Sequence, residues 1–266
     1  MIGIAFSPRC MHVAPAIRFV IGGSLFATAL LLVPSMTLAT VGDAGMCRDE
    51  GTALPLSEPP PNFGPKGNKK KFIEWITPAA QFIQAKTGLP MSVLIAQAGF
   101  ESAWGSSTNF KVSQSIFGRS CGKKGIVESG KTELSDLQLP WKMTCSRPRP
   151  KSEGAYYYSF GSYQESILEY VQLLLKKGTL FGRLRTLVKN SPPPQVASSR
   201  ACLAAIANRG YAHSSHSRYL GNLISIVASN RLEILDKQAA NRRESCRAPT
   251  NGGTAVANAA SSGIKR

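Results

Sequence analysis

Apolar positions recur every three to four residues through most of the middle of this chain, which predicts helices, and the recurrence fails in one stretch near residues 119–150. Over 69–87, Phe72, Ile73, Trp75, Ile76, Ala79, Phe82 and Ile83 fall near the helical period and Gly88 supplies a stop, while Thr77-Pro78 marks an expected break or second start. Leu89-Pro90 opens a helix expected over about 91–104, carrying Val93, Leu94, Ala96 and Ala98 and closed by Gly105 with Ser106-Ser107. Ser162 is placed to cap another, with Ile167, Leu168, Val171, Leu174 and Leu175 on one side and Lys176-Lys177-Gly178 as its end. Further helices are expected near 180–189, 195–208 and 217–236, the last carrying Leu220, Leu223, Ile224, Ile226, Val227, Leu232 and Leu235.

In the aperiodic stretch Gly122, Gly125, Gly130 and Pro140 punctuate short alternating pieces, which predicts a β-hairpin or an irregular lobe. The ends read differently. Phe19 to Val33 is an apolar run of 15 residues preceded by Arg9 and Arg18 and followed by Thr37-Leu38-Ala39, the pattern of a secretory signal over 1–39 cleaved after Ala39. It is short for a membrane span, which takes about 20 residues. Residues 40–68, with Pro59-Pro60-Pro61, are expected to form an extended linker, and 237–266, rich in Ala, Asn, Gly and Ser, a flexible tail. One folded domain over 69–236 follows, of α+β class and mostly α.

Composition narrows the compartment. The chain has 266 residues, 43% of them hydrophobic, enough for one sizeable core, and a net charge of +17. The bases are scattered, as in Lys69-Lys70-Lys71, Lys123-Lys124 and Arg242-Arg243, with no nucleic-acid motif, so nucleic acid is not an expected partner. An exported basic protein meets the anionic bacterial wall, and membrane contact is expected only through an uncleaved signal. Cys10 would leave with the signal. Of Cys47, Cys121, Cys145, Cys202 and Cys246, the pair Cys121 and Cys145 brackets a Gly- and Lys-rich insertion that a disulfide would brace, and Cys202 with Cys47 or Cys246 is a possible second pair. No two cysteines have zinc-ligand spacing and only His213 and His216 lie close together, so no metal and no cofactor are expected.

The candidate chemistry lies at residues 96–105. Glu101 is the one carboxylate among Ala98, Phe100, Ala103 and Trp104, and a carboxyl held against apolar surface keeps its proton to higher pH. That is the environment of a general acid. On a helix Gln97 and Glu101 share a face and Trp104 falls one turn further along it.

Several words in the chain are similar to those of a known family. Residues 89–98, then Glu101-Ser102-Ala103-Trp104-Gly105-Ser106-Ser107, then Ile116-Phe117-Gly118, the 158–166 region, and Gly210-Tyr211-Ala212 followed by Tyr219 occur in the order found in the glucosaminidase domain of glycoside hydrolase family 73. That family includes flagellar and autolysin-type peptidoglycan hydrolases, and the resemblance covers about residues 70–236. It implies a lysozyme-like helical domain with a small lobe flanking a substrate groove, and peptidoglycan glycan strands as the substrate. It also implies Glu101 as the acid, with Gln97, Trp104, Phe117 and Tyr219 against the sugar. Thr132-Glu133 resembles the family's Thr-x-Glu, making Glu133 the preferred second carboxylate ahead of Glu128, with Asp136 also in the lobe and Glu153 just beyond it. Tyr211 matches the family's Gly-Tyr-Ala tyrosine and is expected to orient the reacting group, though His213-Ser214-Ser215-His216 replaces the usual Thr-Asp-Pro. A second carboxylate is dispensable where a 2-acetamido group supplies its own carbonyl oxygen as nucleophile. The leading expectation is cleavage of the β-1,4 bond after N-acetylglucosamine. The alternatives are a lytic transglycosylase or muramidase on the same fold, and a catalytically silent wall-binding module of a flagellar or secretion apparatus.

Overall fold

The computed structural model describes residues 53–134, 137–148, 156–191, 195–209 and 216–247. The segment expected to be an export signal, and Tyr211, Asp136 and Glu153, lie outside the described residues.

Helix α2 (Met91–Glu101) is buried continuously from Met91 to Gly99, because its sequence offers water no polar face. Around it lie α1 (Lys69–Thr87), α6 (Ser199–Ala207), α7 (His216–Ser229) and α8 (Leu232–Arg247). Helix α1 starts at Asn68, whose side chain accepts from the Lys71 amide at 3.0 Å, and stops at Gly88 in the left-handed conformation. The break expected at Thr77-Pro78 does not occur. Pro78 lies inside a continuous helix, since the one amide bond it forfeits is outweighed by the apolar face buried on both sides of it, from Phe72 and Trp75 to Ala79, Ala80 and Ile83.

A short α3 (Thr108–Ser113), capped by Ser107, follows α2. Helix α4 (Tyr163–Leu175) begins at Ser162, whose Oγ accepts from the Glu165 amide at 3.1 Å, while Glu165 Oε2 accepts from the Gly161 amide at 2.8 Å. Helix α5 (Gly182–Lys189) leads to α6. The single helix expected over 217–236 is two, because Arg231 adopts a left-handed φ of 52° and Asn230 Nδ2 closes α7 on the Ile226 carbonyl at 2.8 Å. Helix α8 then continues past Asp236, so the segment expected to be a tail is helical as far as Arg247.

That turn sets Asp236 over the start of α2. Its Oδ1 accepts from the Ser92 amide at 2.9 Å, and its Oδ2 from Ser92 Oγ at 2.5 Å and Ser199 Oγ at 3.2 Å. Gln84 Oε1 accepts from the Met91 amide at 2.8 Å. Pro90, at the capping position, has no side-chain acceptor, so neighbouring helices cap α2 in its place. Asp236→Ala is expected to lower stability by about 2 kcal/mol, the lost buried bonds being partly offset by removal of a carboxyl whose pKa burial raises. Urea unfolding measures this, and equal midpoints for parent and variant would remove the capping role.

The aperiodic stretch is an antiparallel sheet of β1 (Ser120–Cys121), β2 (Val127–Leu134), β3 (Leu137–Pro148) and β4 (Tyr156–Phe160), in the order β1-β4-β3-β2. Thr132 Oγ1 donates to the Leu168 carbonyl at 2.6 Å and Leu134 is buried, which docks β2 on α4. Met143, Cys145, Tyr158 and Phe160 form a small second core. A disulfide joins Cys121 to Cys145, tying β1 to β3 with the Cα atoms 6.0 Å apart. Cys202 is a free thiol enclosed in the main core of α6, so the second pairing considered through it is not formed.

Residues 53–68, expected to be a linker, lie on the helical body. Leu54, Leu56 and Phe63 are buried, Trp75 Nε1 donates to the Ser57 carbonyl at 2.8 Å, and the Gln164 amide donates to Glu58 Oε1 at 3.0 Å. Three apolar side chains in a proline-rich stretch suffice to anchor it.

Candidate active site

Glu101 is the last residue of α2. The chain leaves the helix through Ala103 and Trp104, at φ 49° and 55°, and Gly105, at φ 81°. Left-handed backbone costs about 1–2 kcal/mol per non-glycine residue. The turn is held against that cost by the Trp104 amide on the Gly99 carbonyl at 2.8 Å, the Ser107 amide on the Ser102 carbonyl at 2.8 Å, and the Gly105 amide on Ser102 Oγ at 3.1 Å. Backbone strain of this kind collects at functional sites.

Because the helix ends at Glu101 and not near 104, the expected common face of Gln97, Glu101 and Trp104 is not formed. Trp104 turns back over Gly99, where a Cβ would stand 2.4 Å from its Cζ3, and meets Phe72 edge-on at 5.9 Å. Lys69 Nζ lies 5.7 Å from the centre of its ring.

Gln97 and Glu101 do share a face, and two tyrosines from distant helices converge on them. The Tyr170 hydroxyl, from α4, donates to Gln97 Oε1. Gln97 Nε2 donates to the Tyr219 hydroxyl, from α7, at 3.2 Å, and that hydroxyl donates to Glu101 Oε1 at 2.9 Å. Phe117 stacks on Tyr170 with ring centres 3.8 Å apart, and Phe100 meets Tyr219 edge-on at 5.5 Å. Gln97, Phe117 and Tyr219 were expected against the sugar, but at 0, 5 and 2% exposure they lack the surface a sugar ring needs. Tyr219 and Gln97 instead hold the Glu101 carboxyl, and Phe117 packs on Tyr170. Phe100, next to Glu101 in the chain, is 38% exposed, and Trp104 is half-buried.

Burial disfavours the Glu101 carboxylate and raises its pKa to about 7, against a smaller downward pull from the Tyr219 hydrogen bond. Burial first, and then the neighbouring Glu101 charge, push the Tyr219 phenol far up, so it remains a donor at any working pH.

The lobe carboxylates divide by strand alternation. Thr132 and Leu134 face the helical body, which places Glu133 on the outer, exposed face of β2. Glu128, on the same side as Thr132 and Leu134, accepts from the Tyr158 hydroxyl. Nearby, Arg119 Nε lies 3.5 Å from the buried Glu169 Oε1. The sequence pattern gives Tyr170 no distinguishing mark, since on α4 it falls among Ile167, Val171 and Leu174 and reads as core; Phe100 was masked by the motif around it.

The chain matches the profile of the glucosaminidase family, described as mannosyl-glycoprotein endo-beta-N-acetylglucosaminidase, over residues 77–232, more than half its length. It belongs to that family. It is similar to the peptidoglycan hydrolase FlgJ of Escherichia coli, strains O157:H7 and K12, at 26% identity over 170 residues, 61% of this chain and 48% of each relative. The chain therefore spans about half the length of the curated relatives it matches. Among solved structures it is similar to the catalytic domain of the autolysin Auto from Listeria monocytogenes, with 23% identity over 73% of this chain and 94% of that one and a TM-score of 0.43. It is also similar to a C-terminally truncated glycoside hydrolase domain of Salmonella typhimurium FlgJ, with 23% identity over 62% and 98% and a TM-score of 0.40.

Proposed function

We propose that this protein is an endo-β-N-acetylglucosaminidase of the bacterial cell envelope, cleaving the β-1,4 bond after N-acetylglucosamine in peptidoglycan, with Glu101 protonating the leaving oxygen. The observation that carries this reading is the Glu101 carboxyl itself, at the mouth of a buried helix, held by Tyr219 and retaining its proton to about pH 7. Membership of the glucosaminidase family and the likeness to proteins named peptidoglycan hydrolases support it. The basic charge fits an anionic wall. Among the described residues no helix is long and apolar enough to cross a membrane, and the export signal proposed over 1–39 predicts a mature protein that begins at Thr40.

For the far side of the sugar ring the substrate's own 2-acetamido oxygen is the proposed nucleophile, with Tyr211 proposed to orient it, because Glu133 lies exposed on the outer strand face. Glu133→Gln is then expected to keep peptidoglycan cleavage within about tenfold of the parent, well short of the 10²- to 10⁴-fold loss typical of a missing acid or base. A loss from Glu133→Gln or Glu128→Gln as deep as that from Glu101→Gln would replace this scheme with a two-carboxylate one.

Digestion of purified peptidoglycan by the exported protein, followed by borohydride reduction and mass spectrometry, tests the assignment. Reduced N-acetylglucosamine ends are expected. Anhydro or reduced muramic ends would assign a transglycosylase or muramidase, and retention on sacculi without any fragments would assign a binding module of a flagellar or secretion apparatus.

A further inference from the structure

We propose that the cavity which residues 60–65 form with Gly105 and helix α3 is a binding site for the acidic peptide stem of peptidoglycan, with Lys111 pairing with one of the stem's carboxylates. The inference rests on peptidoglycan being the substrate, and it concerns which strands are preferred: those that still carry their peptides.

The cavity is about 420 Å³ and open to solvent, a size that suits a small ligand. Pro60, Pro61 and Pro65 line it from the strap, Phe110 and Lys111 from α3, and Gly105 from the turn that follows Glu101. The strap precedes residues 77–232, which match the glucosaminidase family, so its share of the cavity is built outside the matched domain. It is also preformed. Three prolines with fixed φ leave residues 60–65 little freedom to lose on binding. Leu54, Leu56 and Phe63 anchor the strap by burial. Asn62 Oδ1 accepts from the Gly64 amide at 2.8 Å, and the Tyr163 hydroxyl, on the opposite wall from the strap in sequence, donates to the Phe110 carbonyl at 3.1 Å.

The lining is apolar with a positive edge. Lys111 is exposed, and among the described residues no carboxylate pairs with it. Lys66, also exposed, follows Pro65 directly. Asn62 Nδ2 has no acceptor among the described residues. No acidic side chain lines the cavity. Glu58, the one carboxylate of the strap, lies near Tyr163 and accepts from the Gln164 amide at 3.0 Å. The occupant that fits is a short peptide with small apolar side chains and free carboxylates, and the stems of peptidoglycan, with their alanine methyls and free carboxylates, have that make-up.

Reach agrees with this. Gly105 is four residues from Glu101, so their Cα atoms are at most about 14 Å apart, and the left-handed turn between them keeps them closer. A stem of four residues spans about the same length when extended. A glycan held at Glu101 can lay the stem of a neighbouring sugar into the cavity.

The test titrates a stem tetrapeptide, released from purified peptidoglycan by an amidase and freed of sugar, into the ¹⁵N-labelled protein. The amide signals of Gly64, Gly105 and Lys111 are expected to shift together and to saturate. Lys111 is exposed on α3, so its replacement leaves the fold intact. Lys111→Gln should raise the Kd about two- to fivefold, the size of effect an exposed ion pair carries, and Lys111→Arg should restore it. No shift at these amides with millimolar peptide, or the same Kd for parent and Lys111→Gln, overturns the proposal. In cleavage assays KM should be lower for peptide-bearing strands than for strands stripped by the amidase, and Lys111→Gln should narrow that difference by the same factor. Equal KM for the two kinds of strand in the parent, or an undiminished difference in the variant, overturns it too. Since the peptide titration needs no turnover, a protein that binds the stem and leaves both kinds of strand uncut counts against the proposed function and not against the site.

Discussion

Glu101→Gln is expected to slow peptidoglycan cleavage about a thousandfold and, above pH 7, to make the protein more stable by about 1–3 kcal/mol. Both effects come from one buried carboxyl. Its pKa is about 7 in the folded protein against an ordinary 4.5, so below pH 4.5 folded and unfolded chains are both protonated and the residue is neutral to stability. Between pH 4.5 and 7 the unfolded chain releases the proton while the folded one keeps it, and the folded state loses ground as pH rises. Above 7 the penalty is complete. Glutamine keeps the size and can still accept from Tyr219 but carries no charge, so the stability gained should be near zero at pH 4 and largest at pH 8. Parallel urea titrations at those two values measure it, and a gain of the same size at both would mean that burial of charge is not its cause. In the parent, kcat/KM should fall tenfold per pH unit above about 7, as the acid loses its proton.

Gly105→Ala should cost about 3 kcal/mol and most of the activity, through strain and crowding together. Gly105 sits at φ 81°, and a Cβ there would stand 2.2 Å from Cδ2 of Phe63, a ring already enclosed by Phe72, Trp75 and Phe110. Relief requires the turn that follows Glu101 to move. Gly178 provides the comparison, since its φ of 86° carries the same strain with no atom within 4 Å of the added carbon. Gly178→Ala should therefore cost only about 1 kcal/mol, the strain alone. Thermal unfolding of the two variants separates the contributions, and equal losses would show that the contact with Phe63 carries no weight.

The helical framework was legible because its signals are local. Ser162 and Gly88 mark helix ends by their own chemistry, and the apolar periods around them survive any arrangement of the helices. The raised pKa of Glu101 was legible for a similar reason, since apolar residues flank it in sequence. Where the local rules misled, a contact overrode them. Pro78 is tolerated because both halves of α1 bury one face, and residues 53–68 are anchored by Leu54, Leu56 and Phe63 despite a linker's composition. The step at Arg231 hides inside an unbroken apolar period and shows only as one left-handed residue.

Periodicity, capping residues and the surroundings of Glu101 sufficed, before any folding, for most of the helices, for a lobe apart from them and for a carboxyl held against apolar surface. How that carboxyl is held was decided by bonds between residues far apart in the chain. Tyr170 and Gln97 are 73 positions apart, Tyr219 and Glu101 118, and Asp236 and Ser92 144. Turns of one or two left-handed residues, at Ala103 and Trp104 and at Arg231, aim the helices that make these meetings possible. A sequence states which groups can donate and accept; their order around Glu101 exists only once three helices have packed.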